Sequence, residues 1–168
     1  MKAARALVAA YGDYIIQQED GKRNYPEFEP LYRAHYAEMC ERLAGDGIDM
    51  PPYNPRLDRY FEANEGGWLL HYTVRLNEEA VGYSNIWLTQ DAHNQQLIAK
   101  EDTIYVRPDH RKGVGKALVR TILGDLKGRG VKRVLISPVT DLRVGKIWQR
   151  MGFKPVAEIM QYSFEEEA

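Results

Sequence analysis

Ile104-Tyr-Val-Arg-Pro-Asp-His-Arg-Lys-Gly-Val-Gly-Lys-Ala-Leu-Val119 reads as a strand, a tight turn and a helix in direct succession. Pro108 ends the strand because it has no N–H to give to a ladder. Gly113 and Gly115 let the backbone curl tightly and bring its N–H groups close to a ligand. The helix that opens near Lys116 leaves its first N–H groups without internal partners. With the positive end of the helix dipole, those groups form a site for a phosphate. The stretch therefore predicts a pyrophosphate cradle with cations around it. Its candidate contacts are Val106, Arg107, Arg111, Lys112, Gly113, Val114, Gly115 and Lys116. Two other phosphate loops are excluded. No Gly-x4-Gly-Lys-Ser/Thr run exists, and Leu118 stands where a dinucleotide fingerprint needs its third glycine.

Working outward, the pattern alternates strands and helices. A strand is expected over Tyr14–Gln18 and a helix over about Glu29–Leu43, with Tyr32, Tyr36, Met39 and Leu43 on one face. A second short helix runs to about Ala63. Trp68–Leu76 alternates as a strand, Asn77-Glu-Glu79 turns, and Val81–Leu88 returns. Leu97–Arg107 feeds the cradle. Val114–Lys127 is an amphipathic helix with Val114, Ala117, Leu118, Thr121, Ile122 and Leu126 inward. Val131–Ser137 is an apolar strand, Asp141–Met151 a helix and Glu158–Phe164 a last strand.

The 168 residues suffice for one domain, residues 1–168, with a sizeable core. The single Cys, Cys40, excludes an internal disulfide framework and fits a reducing compartment. The apolar run Ala6–Ala10 is too short for a signal-peptide core, and nothing reaches a membrane-spanning length, so a cytoplasmic protein is expected. The net charge of −1 hides an asymmetry: residues 107–154 carry 13 Lys plus Arg against 3 Asp plus Glu, whereas residues 1–106 carry 10 basic and 17 acidic side chains. A basic half beside the cradle suits a phosphate-rich ligand. Nucleic acid is disfavoured, since Trp148 and Phe153 are the only aromatics among those basic residues. The four histidines, His35, His71, His93 and His110, are too dispersed for metal-ligand spacing, so no metal is expected.

Val106, Pro108, Arg111, Gly113 and Gly115 resemble the signature of the GNAT superfamily of acetyl-CoA-dependent N-acetyltransferases. Arg111 and Gly113 stand one residue closer than the usual pattern, so either the loop is one residue short or His110 occupies the usual Arg position. A second resemblance follows: Asp141-Leu-Arg-Val144-Gly-Lys-Ile-Trp148-Gln-Arg-Met-Gly152-Phe153 matches the family's Asn-x-x-Ala-x-x-x-Tyr-x-x-x-Gly-Phe spacing, with Asp141, Val144 and Trp148 as departures. The two cover roughly residues 98–160. Leu31-Tyr-Arg-Ala-His35-Tyr36-Ala-Glu38 is similar to members found in phage genomes.

The resemblance implies a mixed α/β fold: a central, splayed, mostly antiparallel sheet flanked by helices. In such folds the strand ending at Val106 and the strand Val131–Ser137 part, and the pantetheine arm lies between them. It further implies acetyl transfer from acetyl-CoA to a primary amine by direct attack in a ternary complex, with Asp141 and Trp148 at the cofactor. The acceptor would be a small-molecule amine or a protein lysine or N-terminal amine. Many members of the family dimerise through C-terminal strands, so a homodimer is the implied assembly.

That chemistry sets needs. An amine with a pKa of about 10.4 must lose a proton before attack, and a carboxylate can take it. Asp102 and Glu101 are the candidates, and strand alternation lets only one of them face the splay without saying which. In this family the oxyanion donor is a backbone N–H, here that of Val106. The usual Tyr that protonates the leaving group is replaced by Trp148, which donates a hydrogen bond but keeps its proton. A thiol pKa of about 8.5 makes thiolate a fair leaving group without it. His35, Tyr36 and Tyr72 are the candidate acceptor contacts, within an acidic, aromatic region that also holds Tyr32, Tyr53, Tyr60 and Trp68. His71 is placed to reach the acceptor side, His110 to touch phosphate or solvent. The alternative is a weak or inactive CoA-binding protein of this fold with a regulatory role, and Trp148 motivates it.

Overall fold

The computed structural model describes residues 8–138 and 143–162. In chain order the elements are β1 (Val8–Tyr11), β2 (Tyr14–Glu19), α1 (Gly21–Ala44), α2 (Leu57–Glu65), β3 (Leu69–Leu76), β4 (Glu79–Gln90), β5 (Leu97–Val106), a 3-10 turn (Pro108–His110), α3 (Val114–Gly128), β6 (Arg133–Leu135) and α4 (Val144–Arg150). The six strands form one sheet in sequence order. Neighbours are antiparallel except β5 and β6, which run parallel. This is the expected mixed α/β architecture.

α3 covers one face with a dry aliphatic core. Val114, Leu118, Ile122 and Leu126 pack on Leu70, Val74, Val81, Ile86 and Ala99. Each buried Leu or Ile of that stripe stabilises the fold by roughly 1.5–3 kcal/mol. α1 covers the other face through Phe28 and Leu31, which meet Ala80, Tyr83 and Tyr105. Both faces of β3 and β4 are therefore buried, although the alternation of Trp68–Leu76 reads as one polar face.

Several elements differ from the sequence reading. α1 begins at Gly21 rather than near Glu29, because the Asp20 carboxylate caps it by accepting from the Arg23 N–H at 2.9 Å. Pro26 and Pro30 lie inside that helix, and the burial of Phe28 and Leu31 holds it against their missing donors. Val8–Tyr11, read only as the end of a short apolar run, forms β1 on the edge of β2. The expected strand over Val131–Ser137 contracts to Arg133–Leu135. The helix expected from Asp141 is described from Val144; Asp141 lies outside the described residues. No strand is formed over residues 158–162, the described part of the last strand expected over Glu158–Phe164, where Ile159, Met160 and Tyr162 are exposed. Among the described residues no helix is long and apolar enough to cross a membrane.

Candidate active site

The turn after β5 places a glycine where only a glycine fits. Gly113 adopts φ 88° at the N-cap of α3, and a Cβ there would sit 2.5 Å from the Tyr11 hydroxyl oxygen. No side chain caps α3, so the N–H groups of its first turn have no partner within the helix. Gly113, Gly115 and Lys116 line one end of a cavity of ≈ 1330 Å³. That donor set fits a phosphate group.

The cations around the turn are used differently from the sequence expectation. Arg107 is paired with Glu79 and, at 2.8 Å, with Asp109, and it is not on the cavity wall. Arg111 reaches the wall, but its charge is matched: it donates to both Glu38 oxygens at 2.7 Å and, through Nε, to the Val106 carbonyl at 2.8 Å. Its guanidinium also lies 5.5 Å over the Tyr105 ring. Val114 is core. Lys112 is exposed and off the wall, which leaves Lys116 as the cavity cation at the helix start. His110 is off that wall; it is 3.0 Å from the Tyr14 hydroxyl, because the β1–β2 hairpin packs against the turn.

The cavity continues between β5 and β6. These strands pair only over Ile98–Lys100 with Arg133–Leu135. Past that point they part, and Glu101–Val106 face Ile136, Ser137 and Pro138 across the opening. Buried Trp148 of α4 lines it too, its ring tilted against Phe153. The Arg107 N–H bonds to Val81 O at 2.9 Å, and N–H groups alternate sides along a strand. The Val106 N–H therefore points away from β4, into the gap left by β6.

Both carboxylates of Glu101-Asp102 line the cavity, against the one-of-two expectation from strand alternation. The cause is a β-bulge. Thr103 pairs with Asn85 and Glu101 with Ile86, so Asp102 is the extra residue and the alternation breaks there. The two acids have different partners. Asp102 accepts from the Tyr60 hydroxyl at 3.0 and 3.2 Å and from the Trp87 indole at 3.3 Å. Burial pushes its pKa up, and those two donors pull against the rise. Among the described residues Glu101 accepts one bond, from the Ser137 N–H across the splay at 3.0 Å. Burial pushes it from the ordinary 4.5 up to about 7.

The far end of the cavity lies between α1, α2 and the sheet. His35 sits on its wall, 2.9 Å from the Tyr83 hydroxyl and stacked on Tyr105 at 5.2 Å. Burial lowers its pKa to about 4, so it is neutral at pH 7. Tyr36 lines the cavity and donates to Pro51 O at 2.6 Å. His71 also lines it, with Nδ1 2.8 Å from Asn85 Oδ1. Tyr72 does not. It points to the α3 face, where its hydroxyl donates to Asp125 at 2.6 Å, because it shares the inward register of Leu70 and Val74. Trp68 precedes β3, is exposed and lies off the wall.

Sequence reading missed Tyr83 and Asn85; it named Ser137, beside Tyr105 or a water, as another donor to the leaving group, whereas Ser137 gives its backbone N–H to Glu101. The signal for the first two was present: Tyr83, Asn85 and Trp87 fall at period two on one strand, with a polar Asn amid apolar neighbours. Among the described residues no cluster of His, Cys, Asp and Glu is arranged to hold a metal.

A family model described as the Acetyltransferase (GNAT) family matches residues 28–153. No curated protein matches the chain. Among solved structures the chain is similar to a ribosomal-protein-alanine N-acetyltransferase from Brucella melitensis biovar Abortus 2308, at 18% identity and TM-score 0.68, over 92% of this chain and 99% of that one. It is similar to an aminoglycoside acetyltransferase from an uncultured soil metagenomic sample, at 13% identity and TM-score 0.65, over 92% and 97%. A GCN5-related N-acetyltransferase from Ralstonia eutropha JMP134 aligns at 16% identity and TM-score 0.69, over 89% and 98%. At these identities the likeness establishes the fold.

Proposed function

Since the chain belongs to the GNAT acetyltransferase family and is an acyltransferase, we propose that it moves an acetyl group from acetyl-CoA to a primary amine by direct attack in a ternary complex. The observation that carries this reading is Glu101, a carboxylate with no salt bridge among the described residues, lifted to about 7 at the point where β5 and β6 part. A base poised near neutral pH is what deprotonation of an ammonium requires.

Acetyl-CoA supplies the thioester carbon that the amine attacks and the thiolate that departs. The first-turn N–H groups of α3 and the Lys116 ammonium hold its phosphates. The gap between β5 and β6 takes its extended arm. The Val106 N–H, aimed into that gap, donates to the oxygen that becomes negative during attack. Glu101 takes the ammonium proton, directly or through one water. Asp102, fixed by Tyr60 and Trp87, holds the ammonium before that step. Trp148 packs beside the leaving group and offers it an N–H. His35 and Tyr36 form the acceptor wall.

Calorimetric titration with acetyl-CoA tests the cradle, with Gly113→Asp as control. The expected result is binding on the order of micromolar in the wild type and none in the variant, whose side chain would meet Tyr11 and repel phosphate. CoA thiol release with primary amines then reads the transfer. Absence of wild-type binding would return the chain to the alternative of a GNAT-fold protein that acts through a partner.

A further inference from the structure

The acidic N-terminal half invites a polycationic acceptor, but its charge does not reach the cavity. Of the 17 acids in residues 1–106, three line the cavity: Glu38, Glu101 and Asp102. Three bases line it as well: Arg56, Arg111 and Lys116. Glu38 is bound by Arg111, and Arg56 is paired outward with Asp58 at 2.8 Å. Among the described residues, the cavity carboxylates with no salt bridge are therefore the adjacent pair Glu101 and Asp102, at one end of the acceptor space. Much of the remaining wall is aromatic, with Tyr25, Tyr32, Tyr53, Phe61, Tyr83 and Tyr105. Tyr25 and Tyr32 are stacked at 5.7 Å, and Phe61 meets Tyr25 edge-on at 5.7 Å.

The innermost polar groups are uncharged. His71 is 1% exposed, bonds Asn85 through Nδ1 and has no partner for Nε2. The Tyr32 hydroxyl lies 3.4 Å from the same Nδ1. Burial holds the His71 imidazole in its neutral form. Among the described residues no other carboxylate on that wall is left unpaired to match a second ammonium, since Glu38 is held by Arg111. Ring faces attract cations, but that attraction is smaller than the loss of hydration it would have to offset.

Resting on the acetyltransferase reading above, we propose that the acceptor is a primary monoamine carrying an aromatic ring. Its single ammonium meets the Glu101–Asp102 pair, and its ring lies among the tyrosines between α1 and α2. A hydroxyl on the ring suits the neutral His71–Asn85–Tyr32 wall. Polyamines and aminoglycosides carry cations that this space leaves unmatched. The volume agrees: ≈ 1330 Å³ exceeds the roughly 300–1000 Å³ of a single-ligand pocket, so it has room for a cofactor arm and a ring together.

The test is direct binding to the full chain, followed by calorimetry, of tyramine, spermidine, an aminoglycoside and a lysine peptide, with CoA thiol release measured separately. The expected result is tyramine binding at least tenfold tighter than any of the other three, and weakened at least tenfold by Asp102→Asn. Equal or tighter binding of spermidine, the aminoglycoside or the peptide overturns the proposal, as does absence of tyramine binding. Tyramine that binds with this selectivity but is not acetylated upholds the pocket assignment and overturns the transferase reading instead.

Discussion

Glu19 and Glu101 stand on the same sheet, both drawn out of water, and the fold treats them in opposite ways. Glu19 of β2 is surrounded by donors: Arg75 at 2.6 and 2.8 Å, Thr73 at 2.7 Å and Gln17 at 2.6 Å. Burial alone would raise its pKa, but Arg75, Thr73 and Gln17 outweigh it and hold it at about 2. Arg75 also bridges to Glu27 at 2.6 Å, tying β3 to α1. Glu101 of β5 has one backbone donor and no salt bridge among the described residues, and burial leaves it at about 7. The first carboxylate holds strands and helix together. The second is kept near the point of proton exchange, at some expense to stability. A charge that is fully matched stiffens the fold; one left half-matched in a cavity is available for chemistry.

Glu101→Gln should have the largest effect. Removing a general base lowers turnover by about 10²–10⁴-fold. Because the base acts ionised, wild-type kcat/KM should rise as pH climbs through about 7, and the variant should lose that limb. A loss below about tenfold would assign the base to Asp102.

Arg75→Ala strikes the matched partner. It leaves Glu19 largely buried without its cation, which destabilises by about 3 kcal/mol in chemical denaturation at pH 7. Glu19 has a folded pKa below its ordinary 4.5, so its contribution is present above about pH 4.5 and lost as pH falls towards 2. The gap between wild type and variant should close over that window. A gap that persists at pH 2 would mean that Arg75 acts through packing on Phe28, 5.3 Å away, rather than through Glu19.

The smallest effect has the opposite sign. Glu101 has a folded pKa above 4.5, so its favourable, protonated contribution is full below about pH 4.5 and gone above about pH 7. Glu101→Gln should therefore stabilise the protein at pH 8, by up to about 3 kcal/mol, and leave it unchanged at pH 4. A variant that loses activity and stability together at pH 8 would make Glu101 a structural residue like Glu19, and the contrast would fail.

Much of the site was legible because its chemistry is local. A strand that stops at Pro108, two glycines and an apolar helical stripe need only neighbours in sequence to be read. The adjacency of Glu101 and Asp102 was equally plain. Their division of roles was not, because it depends on a bulge set by pairing with β4 and on donors from α2, β4 and the segment after β6. Tyr72 was misplaced for a related reason. Alternation separates two faces of a strand but does not say which of two buried faces is hollow.

The sequence by itself determined the order of elements from β2 to α4, the glycine turn into α3 and the pair of acids, since backbone propensity, glycine geometry and periodicity act over a few residues. Only the tertiary structure decided which charges are spent on one another and which remain to act. Arg111 meets Glu38 across 73 residues of chain and Arg107 meets Glu79 across 28, while Glu101 forms no salt bridge among the described residues. Coulomb attraction and desolvation depend on distance in space and on burial, and neither is written along the chain.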